Sequence, residues 1–394
     1  MQIDQFITRM KALENITKRW SYSTNSQKIA ISQALKRVSS KAVLSKNTLP
    51  VCRNSKSDGI AVRFADFKNG VPHTSSWKKG NQYAMANTGG DFDDRFDTII
   101  EIEDVIFAAD GTLSFPQSLD VIYGQNIDPV GAVLKQDELI IDKGCRITAL
   151  HQGLLAMAGQ IEVEVNRKPM VIFIPTGSEL VPYYQQPMRG ENVESNSLVF
   201  TSLVNEYGAD VKCYPICKDI KKQLAAQFER AIEEADIVVV SGGSSKGSED
   251  FNTGLLAGRC EWWHHGIRCI PGIPVGIGMS DGKPVINIPG PPFPAFAVME
   301  WCIRPLIHHA VGLYQPDRIV VGAELQEDIY TPQEFDYIQR VHVHWENGQA
   351  IATPLTWDDR FVLSMGSCNG LLLVPIGVKG YDAKTIVKVE MLQV

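Results

Sequence analysis

Between residues 168 and 311, short apolar runs recur between stretches whose apolar residues follow helical spacing. Met170–Ile174 reads as a strand and is followed by a Thr176-Gly177 loop. Ser197–Tyr207 reads as a helix with Leu198, Phe200, Leu203 and Val204 apolar and Gly208 as its stop. Val211–Ile216 is a second strand. Asp219 stands where an N-cap belongs, ahead of Leu224, Phe228 and Ile232 at i, i+4 and i+8. Ile237–Val240 is an unbroken apolar, β-branched run, the pattern of a strand covered on both faces. Pro274–Gly278 and Pro284–Ile288 follow, and Pro289-Gly290-Pro291-Pro292 leads into a helix over Ala295–His309. Strand and helix alternate, which predicts a doubly wound α/β unit with parallel pairing and right-handed crossovers.

The flanks have a different texture. Ile31, Ala34, Leu35 and Val38 recur at helical spacing, so residues 1–44 read as helical. A second helical segment spans Ala149–Gly159, where Leu150, Leu154 and Met157 share a face. From about residue 47 to 140, runs such as Gly59–Val62 and Thr98–Ile102 alternate with Gly, Asn, Asp and Pro, the texture of a β-rich module. Residues 317–394 return to short strands. The fold class expected is therefore α/β multidomain. Residues 1–46 with 141–167 form a helical N-terminal and linker region, 47–140 an inserted β-rich module, 168–315 the α/β core domain, and 316–394 a C-terminal all-β domain. A length of 394 residues fits this, since it exceeds one ordinary core.

Composition narrows the function classes. The chain is 44% apolar and 21% charged, with a formal net charge of −7. That balance argues against a general nucleic-acid or anionic-membrane binder, while leaving room for a local anion pocket. No apolar run reaches the length of a membrane span. The opening stretch MQIDQFITRMKALENITKRW lacks the layout of a signal peptide, so cytoplasm is expected. The cysteines at 52, 145, 213, 217, 260, 269, 302 and 368 contain no CxxC pair, and Cys213 and Cys217 flank an apparent strand. Free thiols in a reducing compartment are the expectation. His264–His265 and His308–His309 point different ways on any regular element, whereas His342 and His344 line one face of a strand.

Candidate chemistry centres on Ile237–Lys246, IVVVSGGSSK, where a buried strand runs into Ser241-Gly242-Gly243-Ser244-Ser245. Loops at the carboxyl end of parallel strands are where α/β proteins hold phosphates and other anions. Glycine lets backbone approach, and serine hydroxyls add donors. The same residues also make a plain strand-to-loop turn. Three more loops join it as candidates: Ser57-Asp58-Gly59, Thr176-Gly177-Ser178-Glu179 and Pro289-Gly290.

The order and spacing of these loops resemble the molybdopterin molybdotransferase family, MoeA in bacteria and the E domain of gephyrin in animals. The likeness covers nearly the whole chain. Asn54–Val62, NSKSDGIAV, resembles NSAMDGYAV. Asn87-Thr88-Gly89-Gly90 with Asp97–Glu103 resembles TGAP…DAVVMxE, and Gly124-Gln125-Asn126-Ile127 with Gly131 resembles GENVRxxGED. Thr176–Leu180 resembles TGDEL, and Glu194-Ser195-Asn196 stands at the family's Asp, Ser or Thr, Asn. Ser241–Asp250, SGGSSKGSED, resembles SGGVSVGDYD; Pro271–Pro274 resembles PGKP; Ile288–Pro292 resembles LPGNP; and Ser367–Leu371 resembles SLANGL.

The resemblance implies an elongated homodimer whose cleft lies between one subunit's α/β domain and its partner's β module. It implies insertion of molybdate into adenylylated molybdopterin, with AMP released and Mg²⁺ present. Asp58, Glu179 and Asp250 would be catalytic, with Asp58 and Asp250 holding Mg²⁺. Thr88, Thr176, Gly177, Asp219, Ser241, Gly242, Gly243, Ser244, Ser245, Arg268, Pro289 and Gly290 would bind the pterin substrate. Arg304 also matches the family. Several positions depart from it: Ser248 replaces an acid, Ile270 and Ile273 replace lysines, Pro291 replaces an asparagine, and Pro294 a serine. Ala132 and Val133 stand at the acidic pair of GENVRxxGED, and Asp128 at its arginine. Each lost charge-assisted bond removes about 1.5–3 kcal/mol of anion binding.

The retained residues also have plain structural explanations. Asp58 before Gly59 is a common turn residue. Asp219, Glu179 and Asp250 could cap helices, and Arg304 beside Glu300 makes a surface pair. Two functions are carried forward. In one the chain is a working molybdotransferase. In the other it is a non-catalytic carrier that binds molybdopterin or the mature cofactor and passes it to a molybdoenzyme client. An α/β enzyme acting on another nucleotide-linked substrate is the third.

Overall fold

Alternation along Ile237–Ser241 sends Ile237 and Val239 into one core and Val238 and Val240 into another. A strand buried on both faces needs a layer on each side, and both are present. On one side pack the helix Asn196–Tyr207, the helical run Pro292–Val311 and the N-terminal helix Arg9–Arg19. On the other pack Lys221–Glu234 and Phe251–Ala257. This computed structural model describes residues 5–22, 25–243, 251–313, 318–356 and 362–392.

The central sheet has six strands, in the order Asp210–Cys213, Met170–Pro175, Ile237–Ser241, Lys283–Ile288, Gly276–Ser280 and Trp262–His265. The first four are parallel, but the last two run antiparallel to their neighbours. Uniform parallel pairing is thus corrected to a mixed sheet. The cause is local. Asp281 and Gly282 both adopt positive φ, +49° and +70°, and fold Gly276–Ser280 and Lys283–Ile288 into a hairpin. Cys213 ends its strand rather than flanking it. The last helical run is longer than expected and contains a π-helical turn, Met299–Ile303, between Pro292–Val298 and Arg304–Val311.

The N-terminal expectation also needs correction. Residues 9–19 form a helix capped by Thr8, whose hydroxyl accepts from the Lys11 amide. Ser26–Ala30, however, is a strand paired with Glu162–Asn166, and Ile31–Gln33 is a single 3₁₀ turn. Ile31 and Ala34 pack this segment against Leu155, Val163 and Val165 without making a helix. Ala149–Met157 is helical as expected. Within 47–140, Tyr83–Ala86, Gly59–Val62 and Thr98–Glu101 form a three-stranded antiparallel sheet. In the C-terminal region, Asp336–Glu346, Gln349–Pro354, Val320–Leu325, Ile386–Met391 and Gly370–Val374 pair in succession. The last strand pairs back to the first, which closes a barrel.

Ion pairs tie the core layer to the chain beyond it. Glu300, on the π-helical turn, accepts from Tyr207 Oη at 2.7 Å and Arg318 Nη2 at 2.8 Å. Arg304 Nε lies 3.3 Å from Glu300 Oε2, and its Nη2 bonds Glu390 on the barrel. The Arg304–Glu300 pair is therefore buried, with side chains 14% and 3% exposed, and not the surface pair that its spacing predicts.

Candidate functional site

The register of the parallel strands decides where the loops meet. Pro175 is level with Ser241, and Ser241 with Ile288. Thr176, Gly242 and Pro289 therefore leave the sheet side by side. They open onto a cavity of about 860 Å³ at the carboxyl ends of the strands. Its wall is completed by Leu180, Asn192–Asn196 and the proline-rich turn 289–294.

The floor is a buried amide and hydroxyl network. Thr176 Oγ1 donates to the Ser241 carbonyl at 2.8 Å and accepts from Asn252 Nδ2 at 2.7 Å. Asn252 Nδ2 also reaches the Gly242 carbonyl at 3.1 Å, and Asn287 Nδ2 donates to that carbonyl at 2.9 Å. Asn196 Nδ2 donates to the Gly290 carbonyl at 2.8 Å. Through these amide and hydroxyl donors the side chains tie three loops to one another. The glycines are required there. Gly242 has φ +97°, and a Cβ on it would lie 2.6 Å from the Thr176 carbonyl oxygen. A Cβ on Gly243, φ +51°, would lie 2.4 Å from Asn252 Nδ2.

The rim is acidic. Glu179, Glu194 and Asp219 line the cavity, and no lysine or arginine does so among the described residues. Glu179 folds over Gly177, since a Cβ there would lie 2.7 Å from Glu179 Oε1. Glu194 Oε1 accepts from the Ser197 amide at 2.9 Å, at the positive end of the Asn196–Tyr207 helix. Asp219 does not cap the next helix, whose N-cap is Ile220. Its Oδ2 instead accepts from the Ser178 amide at 2.7 Å, and its own amide donates to Ser178 Oγ at 3.0 Å. A one-residue offset thus turns an apparent cap into a clasp between two cavity loops.

Of the residues singled out in the sequence, Thr176, Gly177, Glu179, Asp219, Ser241, Gly242, Gly243, Pro289 and Gly290 meet at this cavity. Ser244, Ser245 and Asp250 lie outside the described residues. Asp58 and Thr88 meet each other, with Asp58 Oδ1 accepting from the Thr88 amide at 2.8 Å and its hydroxyl at 3.1 Å, but neither lines the cavity. Arg268 is also absent from the lining; its backbone bonds Ile7 and Asp336. Asn252 and Asn287 were not singled out. A lone asparagine inside the apolar strand KPVINI was the available signal for the second.

Comparison with known proteins agrees with this arrangement. Residues 7–159 match the model of the MoeA N-terminal region (domain I and II), and residues 172–309 match that of a probable molybdopterin binding domain. The molybdopterin molybdenumtransferase of Haemophilus influenzae is 26% identical over 329 residues, covering 80% of this chain and 79% of that protein. That of Bacillus subtilis is 24% identical over 385 residues, covering 93% and 89%. The crystal structure of a molybdopterin biosynthesis moeA protein from Pyrococcus horikoshii superposes with a TM-score of 0.80 at 25% identity, covering 98% of this chain and 99% of that one.

Proposed function

The chain belongs to the MoeA family, and from that premise we propose that it inserts molybdate into adenylylated molybdopterin and releases AMP. The observation that carries this reading is the single cavity that gathers the TGSEL, SGG and PGPP loops at the ends of three parallel strands. The amides of Thr176, Gly177, Ser178 and Gly242 are already bonded within the protein. The phosphate contacts are therefore assigned to Gly243 and the Ser244–Ser245 segment, with Thr176 and Asn252 packed against Gly242 and Gly243 ahead of it.

The acidic rim supports a divalent cation. A polyanionic substrate entering beside Glu179, Glu194 and Asp219 is repelled unless positive charge intervenes. The described residues contain no group of three or more His, Cys, Asp or Glu side chains placed to hold a metal. Mg²⁺ does not need one, because it is commonly held by one or two carboxylates with substrate phosphates and water. The hard oxygen donors of the rim fit such an ion. Asp250 is assigned as its carboxylate, and Asp58 of a second subunit as the other. When bound, the ion supplies charge neutralisation at the phosphoanhydride. The residues of the chain orient the substrate and exclude water.

The test is incubation of purified protein with adenylylated molybdopterin and molybdate, with and without Mg²⁺. AMP release that requires both additions is expected. Tight pterin-nucleotide binding with no AMP release would replace this reading with the carrier.

A homodimer is part of the proposal. The Asp58–Thr88 pair does not line the Ser-Gly-Gly cavity of its own chain, and the same region exposes Ile122, Tyr123, Val130 and Val133. These side chains are assigned to the contact with the second subunit, where their burial would remove apolar surface from water. Sedimentation is expected to give a dimer at micromolar concentration; a stable monomer there rejects the shared site.

A further inference from the structure

The cavity wall has no aromatic ring and no basic side chain among its described residues, so it offers nothing flat for a fused-ring ligand to lie on. A short flap on its rim does. Leu180–Pro182 and Asn192–Glu194 pair in parallel, with Leu180 level with Asn192 and Val181 with Val193. Leu180, Asn192, Val193 and Glu194 themselves line the cavity. The loop between the two strands, residues 183–191, leaves from and returns to strands that contribute to the cavity wall, although none of its own residues is part of the lining. Its base is fixed by the Gln185 amide bonding the Pro182 carbonyl at 2.9 Å and the Met188 amide bonding Glu191 Oε2 at 2.9 Å.

Tyr183 and Tyr184 are the loop's first residues, 57% and 79% exposed. Their ring centroids lie 5.4 Å apart with the planes at 80°. Two adjacent rings in water bury little apolar area of their own, and an edge-to-face pair leaves open ring faces at right angles to one another. Such a notch suits a planar heteroaromatic ligand, because ring stacking needs only a π-face and tolerates varied edges.

We propose that Tyr183 and Tyr184 are positioning residues that stack the pterin ring of the substrate while its phosphates reach the Ser-Gly-Gly loop. The inference rests on the molybdotransferase reading and adds the element that distinguishes a pterin nucleotide from a plain nucleotide. Tyrosine contributes area and a polar tip at low entropic cost, which suits a rim that is wet before the substrate arrives.

The test uses the full chain and two probes, adenylylated molybdopterin and AMP, titrated against wild type, Tyr183→Ala/Tyr184→Ala and Tyr183→Phe/Tyr184→Phe. The alanine pair is expected to weaken the pterin ligand by about tenfold to a hundredfold and leave AMP affinity unchanged. The phenylalanine pair, which keeps both rings, restores binding to within about threefold. In turnover the alanine pair raises KM with kcat at saturation little changed, the pattern of lost uniform binding. Equal loss of AMP affinity assigns the rings to adenine and overturns the proposal. So does unchanged pterin affinity, or conversion of a dimer to monomer by the alanine pair, which makes the flap a contact between copies. A wild type that binds AMP but not the pterin ligand rejects the parent reading instead.

Discussion

Gly242→Ala is expected to lower the rate of AMP release by at least about a hundredfold while the far-ultraviolet circular dichroism stays that of the wild type. The added methyl lies 2.6 Å from the Thr176 carbonyl oxygen and 2.9 Å from Thr176 Oγ1. The backbone there holds φ +97°, which costs an alanine about 1–3 kcal/mol before any clash. Neither neighbour can yield cheaply. The Thr176 amide donates to the Ser241 carbonyl at 2.8 Å, and Thr176 Oγ1 is fixed by Asn252 and Ser241. Gly242 and Gly243 must move instead, and Gly243 is one of the proposed phosphate contacts. A displacement of about 1 Å at a reacting group costs on the order of a hundredfold in rate. Gly242 lies just past Ser241, where the strand's pairing with both neighbours ends, so the sheet ladder is left in place and the fold is expected to survive. Single-turnover AMP release is the measurement, and a variant retaining more than about a tenth of wild-type rate would remove the Ser-Gly-Gly loop from the chemistry.

The strand leading into that loop was legible because burial on both faces leaves an unbroken apolar run, and the glycines after it admit no side chain. The register that brings Thr176, Gly242 and Pro289 level was not legible, since parallel pairing joins residues far apart in sequence. The Asp281-Gly282 hairpin carried a local signal, a turn dipeptide between two apolar runs. The alternation of strand and helix before it favoured the wrong pairing. Asp219 shows the limit of helix-end reading: its side chain found the Ser178 amide on a neighbouring loop, and Ile220 took the cap position. Glu300 and Arg304 were legible as a pair by spacing, while their burial depended on Arg318 and Glu390 arriving from elsewhere. The tyrosine flap lay beyond reach from sequence for a similar reason. Nothing local says that the strands on either side of residues 183–191 pair with each other and form the cavity wall.

That same ion cluster sets the largest expected loss of stability. Glu300→Ala is expected to destabilise the protein by about 3–5 kcal/mol, the cost of leaving a buried charge without its partner. The charge in question is Arg318, whose side chain is 4% exposed and whose Nη2 lies 2.8 Å from Glu300 Oε1. Tyr207 Oη loses its acceptor in the same stroke. Glu206, at 3.5 Å from Arg318 Nη1 and 31% exposed, is too solvated to compensate fully. Glu300→Gln keeps the volume and one acceptor oxygen, so its cost is expected to be well below that of alanine. Removing Arg318 together with Glu300, as Glu300→Ala/Arg318→Met, should recover part of the loss, because no lone charge remains. The pH dependence has a fixed sign. Burial, the largest cause, raises the Glu300 carboxyl above its ordinary value of 4.5, against the pull of Arg318 and Arg304. A raised folded-state pKa contributes stability that is full below the unfolded value and is lost as pH rises through the folded one. The glutamine variant does not titrate, so its stability relative to wild type should improve as pH rises from about 4 to 7. Urea midpoints for the four proteins across that range are the measurement. An alanine variant no weaker than glutamine would show that Arg318 finds another partner, and a gap that widens with pH would mean that its arginines, not its burial, govern Glu300.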